Sequence, residues 1–91
     1  MFLEKHKVYE AVIVLYIKKI NGIKINDTAH VVINKQYLGV QFLSEIKVGR
    51  NDNVLFEAFY EKCELKIDSL FVLEEDSNKI GIGRVTKIYE K

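Results

Sequence analysis

Apolar residues along this chain recur with a period of two more often than with the helical period of 3.6, and short polar segments separate the runs. The cleanest alternation sets Cys63, Leu65 and Ile67 against Glu64, Lys66 and Asp68. Residues 80–89 place Ile82, Arg84, Thr86 and Ile88 on one parity, and Gly81, Gly83, Val85, Lys87 and Tyr89 on the other. Residues 40–46 alternate less well, because Leu43 and Ser44 each fall on the wrong face. Further strands are expected over 28–34, 54–60 and 70–73. Residues 8–18 are apolar on both parities, which predicts a strand buried on both faces.

Turn signals punctuate these runs at Asn21-Gly22, Asn26-Asp27, Gly39, residues 49–53 and Asp76-Ser77-Asn78. Asn21-Gly22 predicts a type I′ hairpin turn after the first strand, because that turn needs positive φ at both central residues. One stretch supports a rival helix. Phe56, Phe59, Tyr60, Cys63, Ile67 and Leu70 recur at spacings of three and four. Elsewhere the chain has no alanine-rich or capped segment, and β-branched and aromatic residues dominate its apolar set. The expectation is an all-β protein, with residues 1–91 forming one domain.

Composition narrows the class. The apolar fraction is 48% and the net charge +1, so the chain has material for a core and no general attraction for nucleic acid or membrane. Residues 1–50 carry eight Lys/Arg and four Asp/Glu, while residues 51–91 carry six and nine. Ordinary surface scatter accounts for this difference, and a dipolar surface that orients a partner is the alternative. The single cysteine allows no intrachain disulfide and favours a reducing, cytoplasmic setting. The apolar run at 11–17 is too short to span a bilayer, so no membrane association is expected.

The tail carries the most information. Phe71 anchors an apolar strand, a polar turn follows at Asp76-Ser77-Asn78, and the returning strand bears Gly81 and Gly83 on one face. Two glycines there cost conformational entropy, and they make sense where another strand or a bulky side chain approaches closely. The run Ile80-Gly81-Ile82-Gly83-Arg84-Val85-Thr86-Lys87-Ile88 resembles the last strand of the third domain of elongation factor Tu. Phe71, Leu73 and Glu75 suit the preceding strand of that hairpin, and residues 9–15 resemble the domain's opening strand. The middle of the chain departs from the pattern. Ile20-Asn21-Gly22-Ile23-Lys24 stands where the family has a glycine-glycine-arginine turn, and the glycine before the terminal phenylalanine strand is replaced near Asp68-Ser69. The family's glycine-tyrosine-arginine-proline segment has no counterpart, since this chain has no proline. The resemblance implies a small six-stranded antiparallel Greek-key barrel. In the elongation factor this domain touches aminoacyl-tRNA and partner proteins, and nucleotide chemistry belongs to another domain. No phosphate-binding Gly-x-x-x-x-Gly-Lys-Ser/Thr loop occurs here, so no nucleotide is expected.

No catalytic constellation stands out. His6, His30 and Cys63 lack the spacings of a zinc site, and no metal or cofactor is expected. Cys63 with His30 as base would make a nucleophile pair, yet its alternation with Leu65 and Ile67 reads as a structural thiol. Glu74-Glu75-Asp76 reads as a solvated hairpin tip. Ser44, Ser69 and Ser77 lack a nucleophile-elbow context. Lys18, Lys19, Lys24, Arg50 and Arg84 are candidate partner contacts, against their simpler role as solubilising charges at strand ends. The sequence therefore favours a non-enzymatic binding module that contacts a protein, with RNA second. The alternative is a toxin-neutralising immunity or inhibitor protein whose acidic second half covers a basic site. An apolar outer face on the first strand would also leave surface for a dimer contact. A contiguous apolar patch rimmed by one sign of charge would mark the interface.

Overall fold

Short alternating runs without capping signals leave the backbone to satisfy its hydrogen bonds between strands. The computed structural model describes residues 7–59 and 65–90, and there the chain forms six. They are β1 (Lys7–Leu15), β2 (Thr28–Ile33), β3 (Gln36–Phe42), β4 (Gly49–Ala58), β5 (Leu70–Glu75) and β6 (Asn78–Glu90). All pairings are antiparallel, and the strands close into a barrel in the order β1-β4-β3-β2-β5-β6. β2, β3 and β4 form a meander, and β1 returns beside β4, which is the Greek-key order. The described residues contain no helix.

The interior follows from one parity of each strand. Tyr9, Ala11, Ile13 and Leu15 of β1 point inward, as do Val54, Phe56 and Ala58 of β4. Phe56 is the hub. It stacks on Tyr9 at 5.5 Å between ring centroids and meets Phe42 and Phe71 at 5.9 Å each. Phe71 fits because Gly83 lies opposite it across the β5–β6 ladder. A Cβ at Gly83 would collide with the Phe71 ring, lying nearest its Cζ and 2.7 Å from its Cε1. At Gly81 a Cβ would sit 2.6 Å from the Val14 carbonyl oxygen, so β6 approaches the backbone of β1 there. Both glycines lie beneath a large cross-strand neighbour, Leu73 over Gly81 and Phe71 over Gly83.

Several local expectations fail for identifiable reasons. Asn21-Gly22 does not close a hairpin, because β1 pairs with β4 and β6 and never with β2. Gly22 has φ 70, but Asn21 is not left-handed. Two successive turns, closed by Lys19 N–H to Tyr16 O and by Gly22 N–H to Lys19 O, carry the chain across the barrel end. The type I′ turns are at Asn34-Lys35 (φ 49 and 64) and Asp76-Ser77 (φ 51 and 67), each joining a two-residue hairpin. Gly39 is not a turn but lies within β3 opposite His30. Residues 49–53 are not a loop either. They pair with β1, and a bulge at Asp52 and Asn53 (φ 58 at Asn53) absorbs the extra residue.

The expected strand around Cys63 does not form where it is described. Asp68 takes φ 71, and Ser69 Oγ accepts from Lys66 N–H, which makes residues 66–69 a turn with Ile67 exposed. Cys63 and Glu64 lie outside the described residues, as do Tyr60 and His6. The rival helix over 56–70 is also not taken up in its described parts, since β4 runs through Ala58.

The Phe71–Gly83 contact makes a quantitative prediction. Gly83→Ala should lower stability by about 1–3 kcal/mol through overpacking, and Phe71→Ala by about 3–5 kcal/mol. Because the ring is what the added methyl meets, Gly83→Ala should cost much less in the Phe71→Ala background. Urea unfolding midpoints of the four proteins measure this, and strictly additive losses would rule out that role for Gly83.

Candidate functional site

In a sheet with one solvated face, the outward parity is normally polar. Here it is not. On the outside of the barrel, Val14 of β1 lies opposite Ile82 of β6, Ile82 opposite Val72 of β5, and Val72 opposite Val32 of β2. One row of β-branched side chains thus crosses four strands. The adjacent row runs Val12, Arg84 and Leu70 over three of them. Exposure is 37% at Val14, 45% at Ile82 and 71% at Leu70, while Val12, Val32 and Val72 are half-buried by their neighbours. Together they floor an open groove of about 590 Å³, which Ile33 and Asn34 extend to the β2–β3 turn.

Among the described residues, the charged side chains that line this groove are Arg50 and Arg84. Arg50 lies opposite Val14 on β4, at one end of the long row. Its Nε donates to Asp52 Oδ1 at 3.0 Å in a pair that is 70% and 60% exposed, so water screens it strongly. Arg84 has no acidic partner among the described residues. The apolar patch is therefore lined by charge of one sign.

The structure divides the five basic candidates. Arg50 and Arg84 come together at the groove. Lys18 and Lys24 are exposed on the β1–β2 loop, and Lys19 on that loop pairs its Nζ with Glu75 Oε1 at 2.7 Å. Phe71, Gly81 and Gly83 build the wall beneath the groove and face inward. His30 is exposed, lies opposite Glu74 and Gly39, and meets the edge of Tyr37 at 6.1 Å. No group of three or more His, Cys, Asp or Glu side chains suited to a metal occurs among the described residues. No helix of the described residues is long and apolar enough to cross a membrane.

A second recess, of about 300 Å³, is lined by Val8, Glu10, Leu43, Leu55 and Tyr89. Glu10 accepts from Asn53 Nδ2 at 3.1 Å and from Tyr89 Oη at 2.9 Å. Those two hydrogen bonds, aided by the charge of Lys87, hold its carboxyl below the usual carboxylate range. The same bond to Glu10 raises the Tyr89 phenol. A carboxyl held ionised with both oxygens engaged is a poor proton donor at neutral pH. Its work is structural. Asn53 is the left-handed bulge residue of β4, and the bulge residue of β6, Thr86, donates its hydroxyl to Glu10 O at 3.1 Å. Glu10 therefore clasps β1 to both neighbours, a role that its place just before the apolar run at 11–17 did not suggest.

The outward row had a signal in the sequence. Val12 and Val14 are the second apolar parity of β1, read as burial beneath another layer. A closed barrel supplies no such layer, so Val14 is exposed and Val12 only half-buried. Comparison with known proteins finds no matching family model, no similar curated protein and no matching solved structure. The likeness of the tail hairpin to the third domain of elongation factor Tu stands on its own residues alone.

The Glu10 clasp predicts a pH signature. Glu10→Gln should destabilise at neutral pH. Its deficit against the wild type should shrink as pH falls from 4.5 through the lowered folded value, because the wild type loses its ionised acceptor there. The deficit should also shrink as pH rises beyond 10 through the raised Tyr89 value. Thermal melts of both proteins across pH measure this, and a deficit independent of pH would show that the carboxylate charge contributes nothing.

Proposed function

We propose that this protein is a non-enzymatic binding module that docks a protein partner on the outer face of β1, β6, β5 and β2. The row Val14, Ile82, Val72 and Val32 carries the reading. A contiguous apolar strip on a solvated sheet face loses free energy to water unless a partner covers it. Every strand of the barrel has a neighbour on both sides, so a partner is read through side chains on a face rather than by strand addition. RNA fits this face less well, because the exposed floor is aliphatic and offers no aromatic platform for base stacking. The toxin-neutralising reading rested on acidic charge, and the charges lining this face are arginines, so it draws no support from the groove. The single cysteine keeps the cytoplasm as the proposed setting. The tail hairpin keeps a relationship to the third domain of elongation factor Tu as part of the proposal.

Affinity purification from the native cell, with the tagged full chain beside its Ile82→Asp variant, tests the assignment. Ile82 is outward and half exposed, so the variant should fold with little loss of stability. The expected outcome is a specific protein retained by the wild type and lost by the variant. Identical recoveries from both proteins would overturn this face as the docking surface.

A further inference from the structure

We propose that the groove takes an extended peptide segment of its partner, with apolar side chains on the Val72–Val32 half and carboxylates on the Arg50–Arg84 half. This inference rests on the reading of the outer face as a protein-docking surface, and it names the chemistry of the occupant. The asymmetry of the groove carries it. Both arginines lie toward the β4–β1–β6 side, Arg50 opposite Val14 and Arg84 opposite Val12. The β5–β2 side is lined by Leu70, Val72, Val32 and Ile33, which carry no charge. A ligand matching this pattern is charged at one end and apolar at the other.

The charges on that side are those that recognise carboxylates. A guanidinium presents a planar fork of donors to a carboxylate, and it sheds water more readily than an ammonium. Among the described residues Arg84 has no acidic partner to give up. Arg50 pairs with the exposed Asp52, whose interaction a ligand carboxylate can replace. The spacing also suits an extended chain. Arg50 and Arg84 are two strands apart, or about 9–10 Å, and two residues apart along β6, or about 7 Å. The two offsets combine to about 12 Å, and side chains on one face of an extended peptide recur about every 6.7 Å, so a run of acidic residues at alternate positions reaches both guanidiniums across two repeats. The floor adds little entropic cost to binding, since Val and Ile side chains have few rotamers to lose.

Amide NMR of the ¹⁵N-labelled full chain tests this with defined probes. The first is a capped peptide whose valines and leucines alternate with serines and are followed by glutamates at alternate positions. The second replaces the glutamates by glutamines, and the third by lysines. The expected result is that the glutamate peptide shifts the resonances of Val12, Val14, Val32, Val72 and Ile82. It should bind about fivefold to tenfold more tightly than the glutamine peptide, the sum of two exposed charge pairs. That advantage should shrink with added salt and vanish in the Arg50→Gln/Arg84→Gln variant. Equal binding by the glutamine or lysine peptide overturns the acidic occupant and leaves the docking face standing. No shift at these residues with any peptide overturns the peptide segment, while the Ile82→Asp purification still decides the docking face separately. Concentration-dependent shifts of the same residues without peptide would overturn it in favour of a second copy of this chain. The same shifts on adding oligouridine would overturn it in favour of RNA.

Discussion

The contact of the Phe71 ring with the bare backbone of Gly83 is the constraint on which the barrel depends. A six-stranded barrel has a narrow interior, and this one packs the rings of Tyr9, Phe42, Phe56 and Phe71 there. Rings of that size fit only if a facing strand contributes no side chain, and β6 does so at Gly81 and Gly83. The magnitudes favour the exchange. A glycine within a strand costs roughly 0.5–1 kcal/mol, whereas a buried phenylalanine is worth about 3–5 kcal/mol against alanine. The same glycines let β6 press against β1 at the Val14 carbonyl. Core filling and ring closure thus share one local device.

Closure also requires that β1, which pairs along both edges, accommodate neighbours that do not keep its register. The ladder slips by one residue on each side, at Asp52 and Asn53 on β4 and at Thr86 on β6. Glu10 immediately precedes the slip against β6 and lies two residues before Val12, which faces the slip on β4. Its carboxylate engages Asn53 and Tyr89, and its carbonyl accepts from Thr86. A single residue of β1 thereby joins three strands at the point where their pairing is least regular. The outward residues of β1 flank that clasp, which suits the preformed surface that the proposed docking face requires.

The outer face owes its character to the same closure. In a sandwich a second sheet would cover Val12, Val14, Val32, Val72 and Ile82. A barrel turns its second layer into its own interior, and those residues are left outside. Arg50 and Arg84 keep the strip soluble without dividing it. They stand far apart in sequence, but they share the groove because β1 lies between β4 and β6. Apolar floor, one-signed charge and rigid backing together make this the part of the surface best suited to recognition.

Much of the architecture was legible from the chain itself. Alternation identified β6, Asp76-Ser77 marked the last turn, and the glycines of β6 announced a close approach, because period and turn chemistry act over a few residues, although the cleanest alternation, around Cys63, gave no strand where it is described. Other features were not local. Asn21-Gly22 carries a hairpin signal but joins strands that are not neighbours, and residues 49–53 look like a loop yet pair with β1. Val12 and Val14 show the same limit most clearly. Their sequence established that β1 is apolar on both sides, and only the order of strands around the ring decided that one side fills the core while the other meets solvent. Side-chain period is a property of the strand, whereas burial depends on what lies across from it, and that is set by contacts between residues distant in the chain.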